Sequence, residues 1–239
     1  MLDATKTVRE FAVEVPQATR LFEKLGIDYC CGGGKSLNDA CTAANLHVND
    51  VLHELDEATG PAQQVPADWR TADLADLIDH IVTKHHGYIK QESPRLESLL
   101  NKVVSKHGPK HPELLELQDL FAGVAAELAS HLMKEEQILF PYVIDCERAL
   151  SDSERLRPPM FGSVRNPIHM MELEHDSAGD ALKQIRELSD GFSAPADACM
   201  SFKALYQGLQ EFEADLHQHI HLENNILFPR AIELESRGR

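Results

Sequence analysis

Two segments of the chain repeat one pattern of histidine, glutamate and apolar residues. Both read H-x3-E-x2-I-L-F-P, and the second begins at His219, 88 residues after the first begins at His131. A histidine and a glutamate four residues apart lie one above the other on one helix face, so both can reach the same point. A single pair is weak evidence, because His53 and Glu57 have this spacing in isolation and are expected to form a solvated ion pair.

The repeated pairs lie in phase with apolar residues. His131 and Glu135 share a predicted helix face with Leu128, and the second pair, His219 and Glu223, is placed in the same way. Both pairs are therefore predicted to face the core. Buried imidazole and carboxylate groups are costly unless their charge is compensated. A bound metal would supply that compensation.

Two further histidines complete a set of six residues. His80 and His86 have the spacing of His169 and His175, 89 residues later, so the chain contains a duplicated two-helix unit. Either His85 or His86 could face the bundle interior. The 89-residue offset between His86 and His175 favours His86 as the ligand. Six such groups suit two metals, each with two imidazoles and both glutamates as bridges. The candidate ligands are His86, His131, Glu135, His175, His219 and Glu223.

The chemistry of these donors indicates the kind of metal. The set contains no cysteine, which disfavours structural zinc or an iron–sulfur cluster and favours iron or manganese, of which we expect iron. Glu127 and Asp215 precede His131 and His219 by four residues. Each acid could accept the other ring N–H of that histidine, line an entry path or lie exposed.

A second constellation is the adjacent pair Cys30 and Cys31, followed by three glycines, Lys35 and Ser36. A glycine loop, a lysine and a helix that starts after Ser36 would lower the thiol pKa and leave the sulfurs accessible. This predicts a reactive or metal-handling dithiol, and the alternative is two small residues in a tight turn. The remaining cysteines are expected to be inert: Cys41, Cys146 and Cys199.

We expect helices to carry these residues. From Asp73 onward the apolar residues follow a helical period, and the alternation of apolar and polar residues typical of strands is absent. The predicted fold class is all-α, with an up-down four-helix bundle over residues 71–239. Asn166 and Pro167 resemble the cap and first position of the third helix. Residues 1–60 form a small helical domain, and residues 61–70 a linker. The long helices are predicted near residues 73–107, 113–145, 166–190 and 197–235.

Composition excludes several classes of function. Lys plus Arg is 23 and Asp plus Glu is 39, for a net charge of −16, so nucleic acid and anionic membrane surfaces are not expected partners. The apolar runs are too short to cross a bilayer, and no secretory signal pattern follows Met1. Five cysteines, two of them adjacent, make a poor disulfide framework. We expect a soluble cytoplasmic protein.

Over essentially its whole length the chain resembles the iron–sulfur cluster repair di-iron proteins, the RIC or YtfE/ScdA-type family. The resemblance implies a helical domain with the cysteine pair and a hemerythrin-like bundle with two non-haem irons, oxo-bridged, on the same six ligands. It also associates Glu127 and Glu174 with the route to the metals. The matching segments are Asp28–Gly33, Asp79–Ile81, Ser130–Pro141, Glu174–Asp176 and Leu222–Pro229.

The activity implied by this resemblance is cytoplasmic repair of iron–sulfur clusters damaged by nitrosative or oxidative stress, with the damaged proteins as partners. We favour a labile centre that delivers iron, with Cys30 and Cys31 as redox or transfer intermediaries. The alternatives are a di-iron enzyme that reduces nitric oxide and a sensor that binds nitric oxide or oxygen. A homodimer is also expected, because the small domain has little core of its own.

Overall fold

The computed structural model describes residues 3–15, 17–58, 68–152, 156 and 159–238 of the chain. The predicted all-α class is confirmed, since these residues form helices and no β-strand. Most of the linker predicted at residues 61–70 lies outside the described residues. In the described part, no helix is both long and apolar enough to span a bilayer.

Short helices form the N-terminal module, defined here as the described residues up to 58. Thr7 and Glu10 form a capping box at the first helix, and the Ser36 hydroxyl accepts the Asp39 N–H at 3.1 Å, as its predicted cap position requires. Gly26 ends the second helix in the left-handed conformation, at φ 67°. The helices are α1 (Val8–Glu14), α2 (Ala18–Leu25), α3 (Leu37–Ala43) and α4 (Val48–Ala58).

Four long helical arms follow, and the predicted bundle is confirmed because each arm packs against the next and arm 4 packs against arm 1. Three arms contain a π-helical segment. Arm 1 is α5 (Leu74–His80), a π segment (Ile81–His86) and α6 (Gly87–His107). Arm 2 is α7 (Glu113–Lys134), a π segment (Glu135–Leu139) and α8 (Phe140–Ser151). Arm 3 is α9 (Arg165–Leu188), and arm 4 is α10 (Met200–Leu222), a π segment (Glu223–Leu227) and α11 (Phe228–Gly238).

Several arm boundaries differ from the prediction by a few residues. Arm 3 begins at Arg165, so Asn166 and Pro167 lie inside its first turn instead of forming the cap. Proline is tolerated there because the first N–H groups of a helix have no partner within it. Arm 2 continues to Ser151, and arm 4 begins only at Met200.

Two apolar clusters fill the molecule on either side of a polar layer. One contains Phe121 and Phe212 of the bundle together with Phe22 and Tyr29 of the N-terminal module. The other lies at the opposite end of the bundle, around Phe140. Each fully buried aromatic side chain contributes about 1.5–3 kcal/mol to folding. The module therefore shares a core with its own bundle and does not need a second chain to bury its apolar side chains.

Candidate metal centre

The polar layer between the two clusters holds the six predicted candidate ligands. All six side chains are at most 2% exposed. They form two overlapping groups, each with two histidine nitrogens and an oxygen of each glutamate, and the donor atoms of a group lie within 4.8 Å of one another. Position 1 contains His86 and His219, position 2 contains His131 and His175, and both contain Glu135 and Glu223.

Local helix geometry directs the two glutamates toward both positions. Glu135 and Glu223 are each the first residue of a π-helical segment, and His86 is the last residue of a third segment. A π turn spans one more residue than an α turn, so it changes the direction of the side chains that follow, and such bulges are frequent at functional sites. The apolar spacing of the sequence gave no sign of these segments.

The donor atoms converge without forming hydrogen bonds at the carboxylates. Glu223 Oε1 lies 2.9 Å from His219 Nε2, and its Oε2 lies 3.1 Å from His175 Nε2. Glu135 Oε2 lies 3.3 Å from His131 Nε2. Among the described residues, none of the four oxygens of these two carboxylates has a hydrogen-bond partner. Buried carboxylates in this state are costly, and the mixed nitrogen and oxygen set fits iron or manganese.

Electrostatics in the layer favour ionised carboxylates. Burial opposes ionisation of Glu223, yet His219 and His175 beside it hold the pKa of this carboxyl well below its usual value. Burial opposes protonation of His86, but contacts with Glu135 and Glu223 raise its pKa to about 10. Burial lowers the pKa of His219. A cation in the layer would bind the anionic oxygens and displace the imidazole protons.

Three of the four histidines are held through their second ring nitrogen. Each Nδ1 lies 2.8 Å from an oxygen, in the pairs His86–Glu136, His131–Glu174 and His175–Asn224. Such contacts fix the orientation of a ring and raise its strength as a donor. Sequence reasoning missed Glu136 and Asn224. The available signal was their position directly after the shared glutamate in each repeat.

The acids four residues before His131 and His219 do not contact those histidines. Glu127 is exposed and accepts a hydrogen bond from the Ser177 hydroxyl at 3.3 Å. Asp215 lies 3.0 Å from Nδ1 of His85 instead. His85 is absent from both donor groups, as the offset argument predicted. It is buried, and its ring stacks on the ring of His219.

The cysteine pair lies against arm 3, beside position 2. Cys31 Sγ is 3.7 Å from the carbonyl oxygen of His175, and it lies next to Gly179 of the same arm. Tyr29 anchors the loop, because its hydroxyl accepts a hydrogen bond from Gln218 at 2.6 Å and its carbonyl accepts one from Asn225 at 2.9 Å. The module is therefore docked on the bundle next to the candidate metal layer.

The predicted lowering of thiol pKa is wrong for Cys30. The contact with the Cys31 thiol, burial and the Asp28 carboxylate together raise the pKa of Cys30 well above its usual value. The loop amides of residues 30–32 donate to Asp28 and not to sulfur. Cys30 is also only 5% exposed, so the expected accessibility holds just for the partly exposed Cys31.

Among the cysteines expected to be inert, Cys199 is different. It is the N-cap of α10, and the backbone N–H of Phe202 and the ring of His107, 3.3 Å away, lower its pKa to about 7. Cys41 and Cys146 are buried, and burial raises the pKa of both thiols.

Comparisons with known proteins identify the family. The model named Hemerythrin HHE cation binding domain matches residues 77–231, and the ScdA_N model, described as a domain of unknown function, matches residues 4–59. A Haemophilus influenzae protein named "Probable iron-sulfur cluster repair protein" is 39% identical over 96% of this chain and 97% of its own length.

Two proteins named "Iron-sulfur cluster repair protein YtfE", from Enterobacter sp. (strain 638) and Escherichia coli O81, are 38% and 39% identical. Each alignment covers 93% of this chain and 94% of the relative. Domain order and near full-length similarity agree with the resemblance carried by the motifs. The chain therefore belongs to the YtfE/ScdA-type iron–sulfur cluster repair family, with an ScdA-type N-terminal domain and a hemerythrin HHE domain.

Proposed function

We propose that positions 1 and 2 each hold a non-haem iron ion and that an oxo bridge joins the two ions. The observation that carries this proposal is the sharing of Glu135 and Glu223 by two groups of buried donors. Their oxygens accept no hydrogen bond from the described residues, and they provide the negative charge that two neighbouring cations need. Bound iron would supply redox chemistry and open coordination for small ligands such as nitric oxide or oxygen.

We infer further that the protein repairs damaged iron–sulfur clusters and that iron is the cargo it delivers. The names of its relatives support the repair role. Ferrous iron stands low in the affinity order of divalent metals, so a nitrogen and oxygen site can release it to an acceptor. The proposed partners are proteins with damaged clusters, and the proposed location is the cytoplasm.

The chain's own residues have distinct roles in this proposal. Glu174, 30% exposed, contacts both His131 and Lys134, so it links a proposed ligand to the surface. Glu127, one turn before His131 on arm 2, is exposed and accepts a hydrogen bond from Ser177 of arm 3, and we assign it to the same acidic route. The thiols of Cys30 and Cys31 are 3.8 Å apart beside position 2 and would act in redox or iron transfer.

The decisive experiment is transfer of iron to an acceptor. Protein loaded with ferrous iron, with the metal counted and its Mössbauer spectrum recorded, should reactivate an enzyme whose [4Fe–4S] cluster has lost one iron and kept its sulfides, under anaerobic conditions with a reductant present. A ferrous chelator should abolish the effect, and His131→Ala should lower both the metal content and the transfer. Rescue by metal-free protein would contradict the proposal.

The cysteine role needs a separate comparison. Cys30→Ala should slow the transfer while keeping the metal content, and Cys41→Ala, a buried thiol in the same module, should change neither. Multiple-turnover production of nitrous oxide with an electron donor and no loss of iron would favour nitric oxide reduction instead. A stable oxygen adduct without turnover would favour a sensor. Light scattering would show whether a homodimer forms.

A further inference from the structure

The duplicated bundle places unlike residues at one pair of corresponding positions. Glu174 directly precedes His175 in arm 3, and 89 residues earlier His85 directly precedes His86 in arm 1. Glu174 reaches across to arm 2 and accepts the Nδ1–H of His131 at 2.8 Å. The ring of His85 instead stacks on the ring of His219, with 6.0 Å between centroids and 10° between planes.

His219 consequently lacks the contact that its counterpart in the other half has. Its Nδ1 is buried and, in the described part of the chain, has no hydrogen-bond partner. Nδ1 of His85 lies 3.0 Å from Asp215, and its Nε2, although buried, forms no hydrogen bond with His219. At position 2, both histidines have an Nδ1 contact, with Glu174 and with Asn224. At position 1, only one histidine has such a contact, with Glu136.

We propose that the two metal positions are unequal and that the ion at position 1 is the weaker bound and leaves first, because His85 occupies the place of a carboxylate. The inference rests on the proposed two-metal centre. Loss of an outer contact to a ligating histidine typically lowers metal affinity about 10–100-fold. A difference of that size is expected between the positions. His85 is thus a positioning residue that acts through His219.

A cavity next to His85 bears on how the ion at position 1 exchanges. A cavity of about 880 Å³ lies between the N-terminal module and arms 1 and 4, and His85 forms part of its wall together with Trp69, Lys84 and His221. Because the His85 ring lies against His219 on its other side, a chelator in this cavity is one side chain away from a ligand of position 1. The cavity therefore gives position 1 an exchange path of its own, separate from the acidic route through Glu174 beside position 2.

Release of ferrous iron to a chelator, followed by absorbance under anaerobic conditions, tests the inference. The two ions share both glutamates, so loss of one weakens the other, and two phases alone would not identify the positions. His85→Glu supplies the missing carboxylate and should slow the fast phase about 10-fold or more, whereas the neutral His85→Gln should not. Glu174→Ala should accelerate the slow phase until the two phases merge.

A fast phase unchanged in folded His85→Glu, or an effect of Glu174→Ala confined to the fast phase, would overturn the inference. Lys134 contacts Glu174, and its counterpart 88 residues later is Leu222. The double variant His85→Glu/Leu222→Lys therefore reproduces the other half more fully if the single variant unfolds. Release is measured without a cluster acceptor, so failure of the repair assay would leave this result intact, and equal release from both positions would not refute repair.

Discussion

Replacing Glu223 with glutamine should affect the iron-bound and metal-free proteins in different ways. The side chain is fully buried and contributes an oxygen to both positions. In the metal-free protein His219 and His175 hold this carboxylate ionised, so glutamine removes one partner of a buried ion pair and should destabilise that form as well. In the iron-bound protein the same change removes an anionic ligand from both ions.

The magnitude follows from linkage between binding and folding. A ligand present at 100 times its dissociation constant stabilises the folded state by about 2.7 kcal/mol per site, so two sites give about 5 kcal/mol. For a chain of this length, each kcal/mol raises Tm by about 2–4 °C. Iron should therefore raise the Tm of the parent protein by about 10–20 °C. Most of this increase should be absent in Glu223→Gln.

Anaerobic scanning calorimetry with and without ferrous iron measures both quantities. The matched control is Glu213→Gln, at a glutamate of the same arm that is 2% exposed and pairs with Arg186 outside the metal layer. Breaking that buried pair should destabilise both forms equally and keep the shift caused by iron. An iron-dependent shift in Glu223→Gln as large as in the parent would refute the assignment of this residue to the centre.

Three other predictions concern separate parts of the chain. At pH 7, iodoacetamide should label Cys199, with a pKa of about 7, well before Cys146, whose pKa is raised by burial. Peptide mass spectrometry after a short exposure gives the order of labelling. The reverse order would contradict the contacts that lower the pKa of Cys199. Asn225→Leu removes the donor to the Tyr29 carbonyl and should weaken module docking by about 1–2 kcal/mol, seen as faster limited proteolysis between module and bundle. His53→Ala should change the unfolding free energy by less than about 0.5 kcal/mol in urea denaturation, because its ion pair is 73% exposed.

The sequence predicted the bundle and the meeting of six side chains because a duplicated pattern constrains both. Each repeat fixes a histidine and a glutamate on one face, and the 89-residue offset separates His86 from His85. The structure brings these six side chains into one buried layer. Their role as iron ligands is the proposal that the calorimetric and transfer experiments test.

Other features could not be predicted because they depend on contacts between distant segments. The π segments are only five or six residues long, too short for apolar periodicity to reveal them. Asn224 holds the ring of a histidine 49 residues away, and Glu136 one 50 residues away. The pKa of Cys30 was predicted with the wrong sign, because its burial and the orientation of Asp28 arise only when the loop docks.

The six candidate ligands are arranged almost symmetrically, but the side chains around the two metal positions differ. Such a difference would let the protein release one ion at a time. If both ions left together, Glu135 and Glu223 would remain buried with no cation between them, and about 5 kcal/mol of linked stability would be lost. If position 1 empties first, the ion at position 2 still contacts both carboxylates. The side chains that differ between the halves, His85 and Glu174 above all, then decide which ion is delivered and which keeps the bundle folded.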